Sequence, residues 1–111
     1  MKVSELVEQL GLVVFSGNEG LGNKVSGGYV SDLLSDVMGH ASASQVWITL
    51  QTHRNVLAIA SLKDLAAVIL VKNLQPDNET IKHSNEEKIP VLGTSSDTFE
   101  ISGQLYQILK K

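Results

Sequence analysis

At 111 residues without a cysteine, the chain has the length of one domain with a real core, and disulfides, thiolate metal sites and a cysteine nucleophile are excluded. A hydrophobic share of 42% against 19% charged residues excludes a disordered chain, and a net charge of −3 with unclustered Lys and Arg argues against a track for nucleic-acid phosphates. Glu5 and Glu8 stand where a signal peptide would be apolar, and no apolar run approaches the ~18 residues of a membrane span, so a cytoplasmic protein with neither nucleic-acid nor membrane partner is expected.

Val3, Leu6, Val7 and Leu10 recur at helical spacing, with Ser4 placed to cap the start and Gly11 to close the end. Leu12 to Phe15 reads as a strand, followed by a glycine-rich loop from Gly17 to Asn23. Lys24-Val25-Ser26 reads as a second strand and Gly27-Gly28 as a sharp change of backbone direction, since paired glycines mark positive φ or close approach. A short helix then starts at Ser31-Asp32, sets Leu33, Leu34, Val37 and Met38 on one face, and ends at Gly39. From Val46 onward strand and helix alternate: strand 46–50, an all-round apolar helix 56–62, strand 66–71, a polar helix 77–87 anchored by Ile81, and strand 89–92. Pro90 cannot donate to a ladder and therefore belongs at an edge or a strand start. Asp97 and Glu100 have capping-box spacing for a last helix, which buries Phe99, Ile101, Leu105, Ile108 and Leu109 and ends on Lys110-Lys111. Short crossovers between alternating elements give an α/β fold, a mostly parallel sheet flanked by helices on both faces, in a single domain over 1–111.

The chemistry is sparse. Gly17 and Gly22 have the spacing of a phosphate loop, but Asn23 intervenes before Lys24 and a strand follows rather than a helix, so a hairpin-like connector is the better reading. His40, His53 and His83 are scattered, and no metal or cofactor site is expected. Asp32 and Asp36 share a helix face as solvated carboxylates rather than as an acid–base pair. The turn Gln51 to Asn55 is different, because it follows a strand and precedes a helix, where open α/β sheets bind ligands. Thr52 or Asn55 is placed to cap that helix. By the same rule Lys72, Asn73, Thr94 and Ser95 end the next two strands on the same edge, and Gly27, Gly28, Ser31 and Asp32 join them if the second strand enters the sheet. The candidate ligand-binding set is therefore Gly27, Gly28, Ser31, Asp32, Gln51, Thr52, His53, Asn55, Asn73, Thr94 and Ser95, a collection suited to a polar or phosphorylated small molecule and containing no catalytic triad.

The stretch Val25-Ser26-Gly27-Gly28-Tyr29-Val30-Ser31-Asp32-Leu33-Leu34-Ser35-Asp36-Val37-Met38 resembles the signature of the DRTGG domain family. Val46-Trp47-Ile48-Thr49-Leu50-Gln51-Thr52-His53 and Ile89-Pro90-Val91-Leu92-Gly93-Thr94 resemble further blocks of that family. Asn23-Lys24 stands near the place of the Asp-Arg pair, and Ser26 near the threonine. The resemblance implies a stand-alone domain similar to the N-terminal domain of HPr kinase/phosphorylase. Related domains in phosphotransacetylases and CBS-containing pyrophosphatases look like regulatory or assembly modules. The phosphate loop of the kinase lies in a separate catalytic domain with no counterpart here, so kinase activity is not implied.

Two function classes follow. One is a non-catalytic regulatory or sensor module binding a small polar ligand, such as a nucleotide or other phosphorylated metabolite, at the carboxyl ends of the strands. The other is an assembly module acting as a homodimer or on a partner enzyme through an apolar patch of Tyr29, Leu33, Met38 and Trp47. A small enzyme using His53 as acid or base is the weakest class, because a lone histidine has no positioned partner.

Overall fold

In the computed structural model, which describes residues 1–110, five strands form one sheet: β1 (Val13–Ser16), β2 (Gly27–Val30), β3 (Gln45–Thr49), β4 (Ala67–Leu70) and β5 (Val91–Gly93). They lie in the order β1-β5-β4-β3-β2, with β2 to β5 parallel and β1 antiparallel to β5. The helices are α1 (Val3–Leu10), α2 (Leu34–His40), α3 (Asn55–Leu62), α4 (Asn78–Glu87) and α5 (Thr98–Leu109). This is the α/β architecture expected, and the two early strands become the two edges.

The inner strands dictate the layering. Every residue of β4 is buried, as are Val46 to Thr49 of β3, so both faces of the sheet need cover. Val46, Ile48, Ala67, Ile69 and Leu92 point one way, onto Val3 and Leu6 of α1 and Ile101 and Leu105 of α5. Trp47, Val68, Leu70 and Val91 point the other way, onto Val37 of α2 and Val56, Leu57 and Ala60 of α3. Helix α4 lies beside α3 and over β1. Each fully buried large side chain contributes about 1.5–3 kcal/mol, and Trp47, Leu6, Ile48, Leu57 and Ile69 are among those with 2% exposure or less.

The glycine pair departs from expectation. Gly27 and Gly28 are the first residues of β2, in extended backbone, paired with Gln45 and Val46 of β3; positive φ is confined to Gly11 and Gly17 among the glycines. What distinguishes Gly28 is a close approach, since a Cβ there would sit 3.1 Å from Cδ2 of Leu105 on α5, whose side chain would have to give way. Lys24 to Ser26 instead lie before the strand: Lys24 makes an isolated bridge to Lys2, and Ser26 bonds the Ala43 and Ser44 carbonyls. The Gly17–Asn23 loop holds a 3₁₀ turn, Asn18–Gly20, rather than a phosphate cradle. Gly20 there touches the Lys88 carbonyl so closely that no side chain fits.

Several helix details also differ. Lys2, not Ser4, precedes α1, and its N–H donates to the Glu5 carboxylate at 2.9 Å. Helix α2 begins at Leu34 because Ser31 and Asp32 are engaged elsewhere, and it runs through Gly39 to His40. Ile81 does not anchor α4; the buried side chains are Thr80 and Ser84, so this helix docks through hydroxyls. Ser84 donates to the Ile89 carbonyl at 2.6 Å and accepts from Ser16 of β1 at 2.8 Å, a buried chain that lets a polar helix pack on an apolar sheet. On α5, Ile101 and Leu105 are buried as expected, but Phe99 is 90% exposed. The Trp47 indole is fully buried and Tyr29 half-buried, which removes both from the expected apolar patch. Lys110 follows α5, and Lys111 lies outside the described residues. No helix among the described residues is long and apolar enough to cross a membrane.

Two outcomes are expected. Ser84→Ala strands the Ser16 hydroxyl and should cost about 1–3 kcal/mol in denaturant unfolding, while the Ser16→Ala/Ser84→Ala double variant costs less than the sum of the singles. The Asp77 carboxylate caps α4, and the Thr80 N–H and then the Thr80 hydroxyl hold its pKa below the ordinary aspartate value. A depressed folded pKa stabilises above the unfolded value and is lost as pH falls through the folded one. The melting-temperature gap between the parent protein and Asp77→Ala should therefore be constant from neutral pH down to about pH 5 and close below about pH 4.

Candidate functional site

The carboxyl ends of β2 to β5 form one rim, and the candidate residues other than Gly27 and Gly28 occupy three stations along it. At the β2–β3 station the chain locks onto itself. Oδ1 of Asp32 accepts from the Thr49 hydroxyl at 2.8 Å and the Leu50 N–H at 2.6 Å. The Asp32 carbonyl accepts from Nε2 of Gln51 at 3.0 Å, and the Ser31 carbonyl accepts from the Trp47 indole N–H at 2.8 Å. Ser31, Asp32 and Gln51 thus bind the β2–α2 connector to the end of β3. Asp36 takes separate partners: its Oδ2 accepts from the Tyr29 hydroxyl at 2.9 Å, and His40 stands 3.3 Å from Oδ1. The Tyr29 bond holds the Asp36 pKa down and raises that of Tyr29, and Asp32 and Asp36 form no paired site.

The second station is the turn before α3. Neither Thr52 nor Asn55 caps that helix; Arg54 holds the N-cap position without a side-chain bond. The Thr52 carbonyl accepts from the Asp77 N–H at 3.3 Å and the Thr80 hydroxyl at 3.0 Å. Arg54 pairs with Glu79 at 2.7 Å in an exposed ion pair. This turn fastens α3 to the start of α4, with His53 on an open surface beside Asp77.

The third station is open. Successive helices leave β4 and β5 toward opposite faces, α4 to one side and α5 to the other, the arrangement that opens a crevice in α/β sheets. A concavity of about 600 Å³ lies there. Asn73, Thr94 and Ser95 line it as the strand-end rule implies, joined by Gln75 and by Gln104 of α5. Leu10, Val13 and Phe15 supply its apolar wall, and none of the lining residues is charged. The two loops are clasped by Lys72 N–H to the Ser96 carbonyl and Asn73 N–H to the Thr94 carbonyl, each 2.9 Å. Lys72 and Asn73 are successive left-handed residues at φ 57° and 60°. Ser44, Asp64 and Lys88 also have positive φ, but Asp64 and Lys88 follow helix ends, where such geometry is routine. The Lys72-Asn73 pair follows a strand, and the lysine carries strain that the clasp sustains.

Gly27 and Gly28 do not reach this rim. They begin β2, so parallel pairing sets them at the amino end, beside Gln45. A smaller hollow of about 350 Å³ at that end is lined by Asn23 and Lys24, near the place of the family's Asp-Arg pair. Asn23 has a structural task there, its amide donating to the Ala66 and Lys88 carbonyls at 3.1 Å each. Sequence reasoning missed Phe15, Gln75 and Gln104. The first and last reach the crevice only through the antiparallel placement of β1 and the return of α5, for which no local signal exists. Among the described residues, no group of three or more His, Asp or Glu is gathered to hold a metal ion.

Comparison with known proteins adds three findings. No curated protein matches the sequence. Among solved structures, the fold is similar to the CBS and DRTGG domains of the regulatory region of Clostridium perfringens pyrophosphatase, complexed with its activator diadenosine tetraphosphate, with a TM-score of 0.71 at 16% identity. The match covers 94% of this chain and 45% of that one, so the chain spans under half of that region. The family model for the DRTGG domain matches residues 5–108, and with that match over the whole α/β sheet the chain belongs to the DRTGG domain family.

Proposed function

We propose that this chain is a non-catalytic regulatory module that binds a small polar or phosphorylated ligand in the crevice at the carboxyl ends of β4 and β5. The observation that carries the reading is the third station, where clasped loops, a strained Lys72-Asn73 turn, the amides of Asn73, Gln75 and Gln104 and the Ser95 hydroxyl meet around an uncharged hollow of about 600 Å³. That volume lies in the usual range for ligand sites. The first two stations support the rim instead: Ser31, Asp32, Gln51 and Thr52 use their polar groups to fix its loops. The rim carboxylates Asp32 and Asp77 are engaged by hydrogen bonds, which favours binding over proton transfer. The C. perfringens region, complexed with a nucleotide activator, supports a regulatory role for this fold in a bacterial setting.

A second reading, assembly through homodimerisation or on a partner enzyme, is favoured by one surface. Phe99 and Tyr106 lie on one stripe of α5 and are 90% and 62% exposed, and α5 packs on edge strand β2, where Val30 is 48% exposed. Of the four residues expected to form such a patch, Leu33 and Met38 are exposed at 65% and 39%, whereas Trp47 is buried and Tyr29 half-buried.

The two readings separate experimentally. A thermal-shift screen against nucleotides and sugar phosphates should find a ligand that stabilises the fold by about 2.7 kcal/mol at 100 times its dissociation constant. Asn73→Gly, which keeps the left-handed turn, should weaken that ligand about fivefold with little change in melting. A screen without any shift would sink the ligand reading. If assembly is the function, sedimentation should show a dimer that Phe99→Glu/Tyr106→Glu converts to monomer, and a parent protein that is monomeric at high concentration refutes homodimerisation.

A further inference from the structure

The wall of the crevice has a shape that narrows its ligand. Phe15, on edge strand β1, lies over Gly93 at the end of β5, and a Cβ on Gly93 would collide with the ring's Cε2 and Cζ atoms. The glycine therefore admits the ring to the strand end. The ring is half-buried: part of it packs with the core cluster that includes Trp47 and Val91, and part lines the crevice. Around it stand the primary amides of Asn73, Gln75 and Gln104, each offering donors and an acceptor on one group.

The same lining speaks against an anion inside. No lysine, arginine or histidine borders the hollow, and the N-terminus of α5 is already capped by Asp97, which accepts from the Glu100 N–H at 2.9 Å. A phosphate group placed there would lose hydration with no charge to replace it. Lys72, the exposed residue next to the lining Asn73 in the chain, is a cation that a ligand reaching out of the hollow can meet. An uncharged flat group inside, with any charge kept at the mouth, satisfies both constraints.

We infer that the crevice takes a planar nitrogenous base, stacked on Phe15 with its edge read by the amides of Asn73, Gln75 and Gln104, so that a nucleotide binds base-inward with its phosphates outside near Lys72. This rests on the ligand-binding reading above and specifies its class. Aromatic faces hold bases of any identity, and the stack carries much of the affinity.

Calorimetric titration with AMP, GMP, CMP, UMP and ribose 5-phosphate tests it. At least one nucleotide should bind, ribose 5-phosphate should not, and Phe15→Leu should weaken the nucleotide about tenfold or more. Saturation-transfer NMR on the parent protein gives a readout independent of that variant's folding, with the strongest transfer expected on the base protons. Ribose 5-phosphate binding as tightly as its nucleotide, or strongest transfer on the ribose, overturns the base-inward pose while leaving the ligand reading intact. If none of the five probes binds, and the wider thermal-shift screen also yields nothing, the crevice reading falls with it.

Discussion

Strands β3 and β4 have almost no side that water can touch, and the rest of the molecule follows from covering them. Alternate side chains of Val46 to Thr49 and of Ala67 to Leu70 leave the sheet in opposite directions, so one layer of helices cannot suffice. The chain lays α2 and α3 on one face in passing from β2 to β4, then sends α5 back across the other beside α1. That reversal comes between the exits of β4 and β5. The crevice at their ends is a by-product of double-sided burial.

Such a layout needs tight joints at the backbone. Gly28 lets α5 settle on edge strand β2, Gly20 seats the 3₁₀ turn against the end of α4, and Gly93 makes room for the Phe15 ring. The buried Ser16–Ser84 pair performs the polar equivalent, holding a helix that has no apolar face to offer. The family signature block consequently divides its labour. Asn23 to Gly28 knit the amino end of the sheet, whereas Ser31 and Asp32 knit the carboxyl end.

The architecture was legible because it is written in apolar runs: the continuous strands and the all-round apolar α3 require two covering layers whatever their detailed contacts. The strand-end rule likewise located Asn73, Thr94 and Ser95, which depend only on strand boundaries. What could not be read was anything requiring a partner distant in sequence. Gly27-Gly28 has the local character of a bend, and only the pairing with β3 and the packing of Leu105 on Gly28 show extended backbone with a close approach. Phe99 has the hydrophobicity of a core residue, yet its phase on α5 relative to Ile101 and Leu105 turns it outward. Thr80 and Ser84 have the polarity of surface residues and are buried because Ser16 and the Thr52 and Ile89 carbonyls are waiting for them.

The polar groups along the rim divide by what they already hold. The Asp32 carboxylate accepts two short bonds, from the Thr49 hydroxyl and the Leu50 N–H, and these fasten the β2–α2 connector to the end of β3. The amides of Asn73, Gln75 and Gln104 carry no such obligation, and the strained Lys72-Asn73 turn holds one of them at the mouth of the crevice. A rim built this way is rigid where it is charged and available where it is neutral. Those properties are what the ligand-binding proposal draws on.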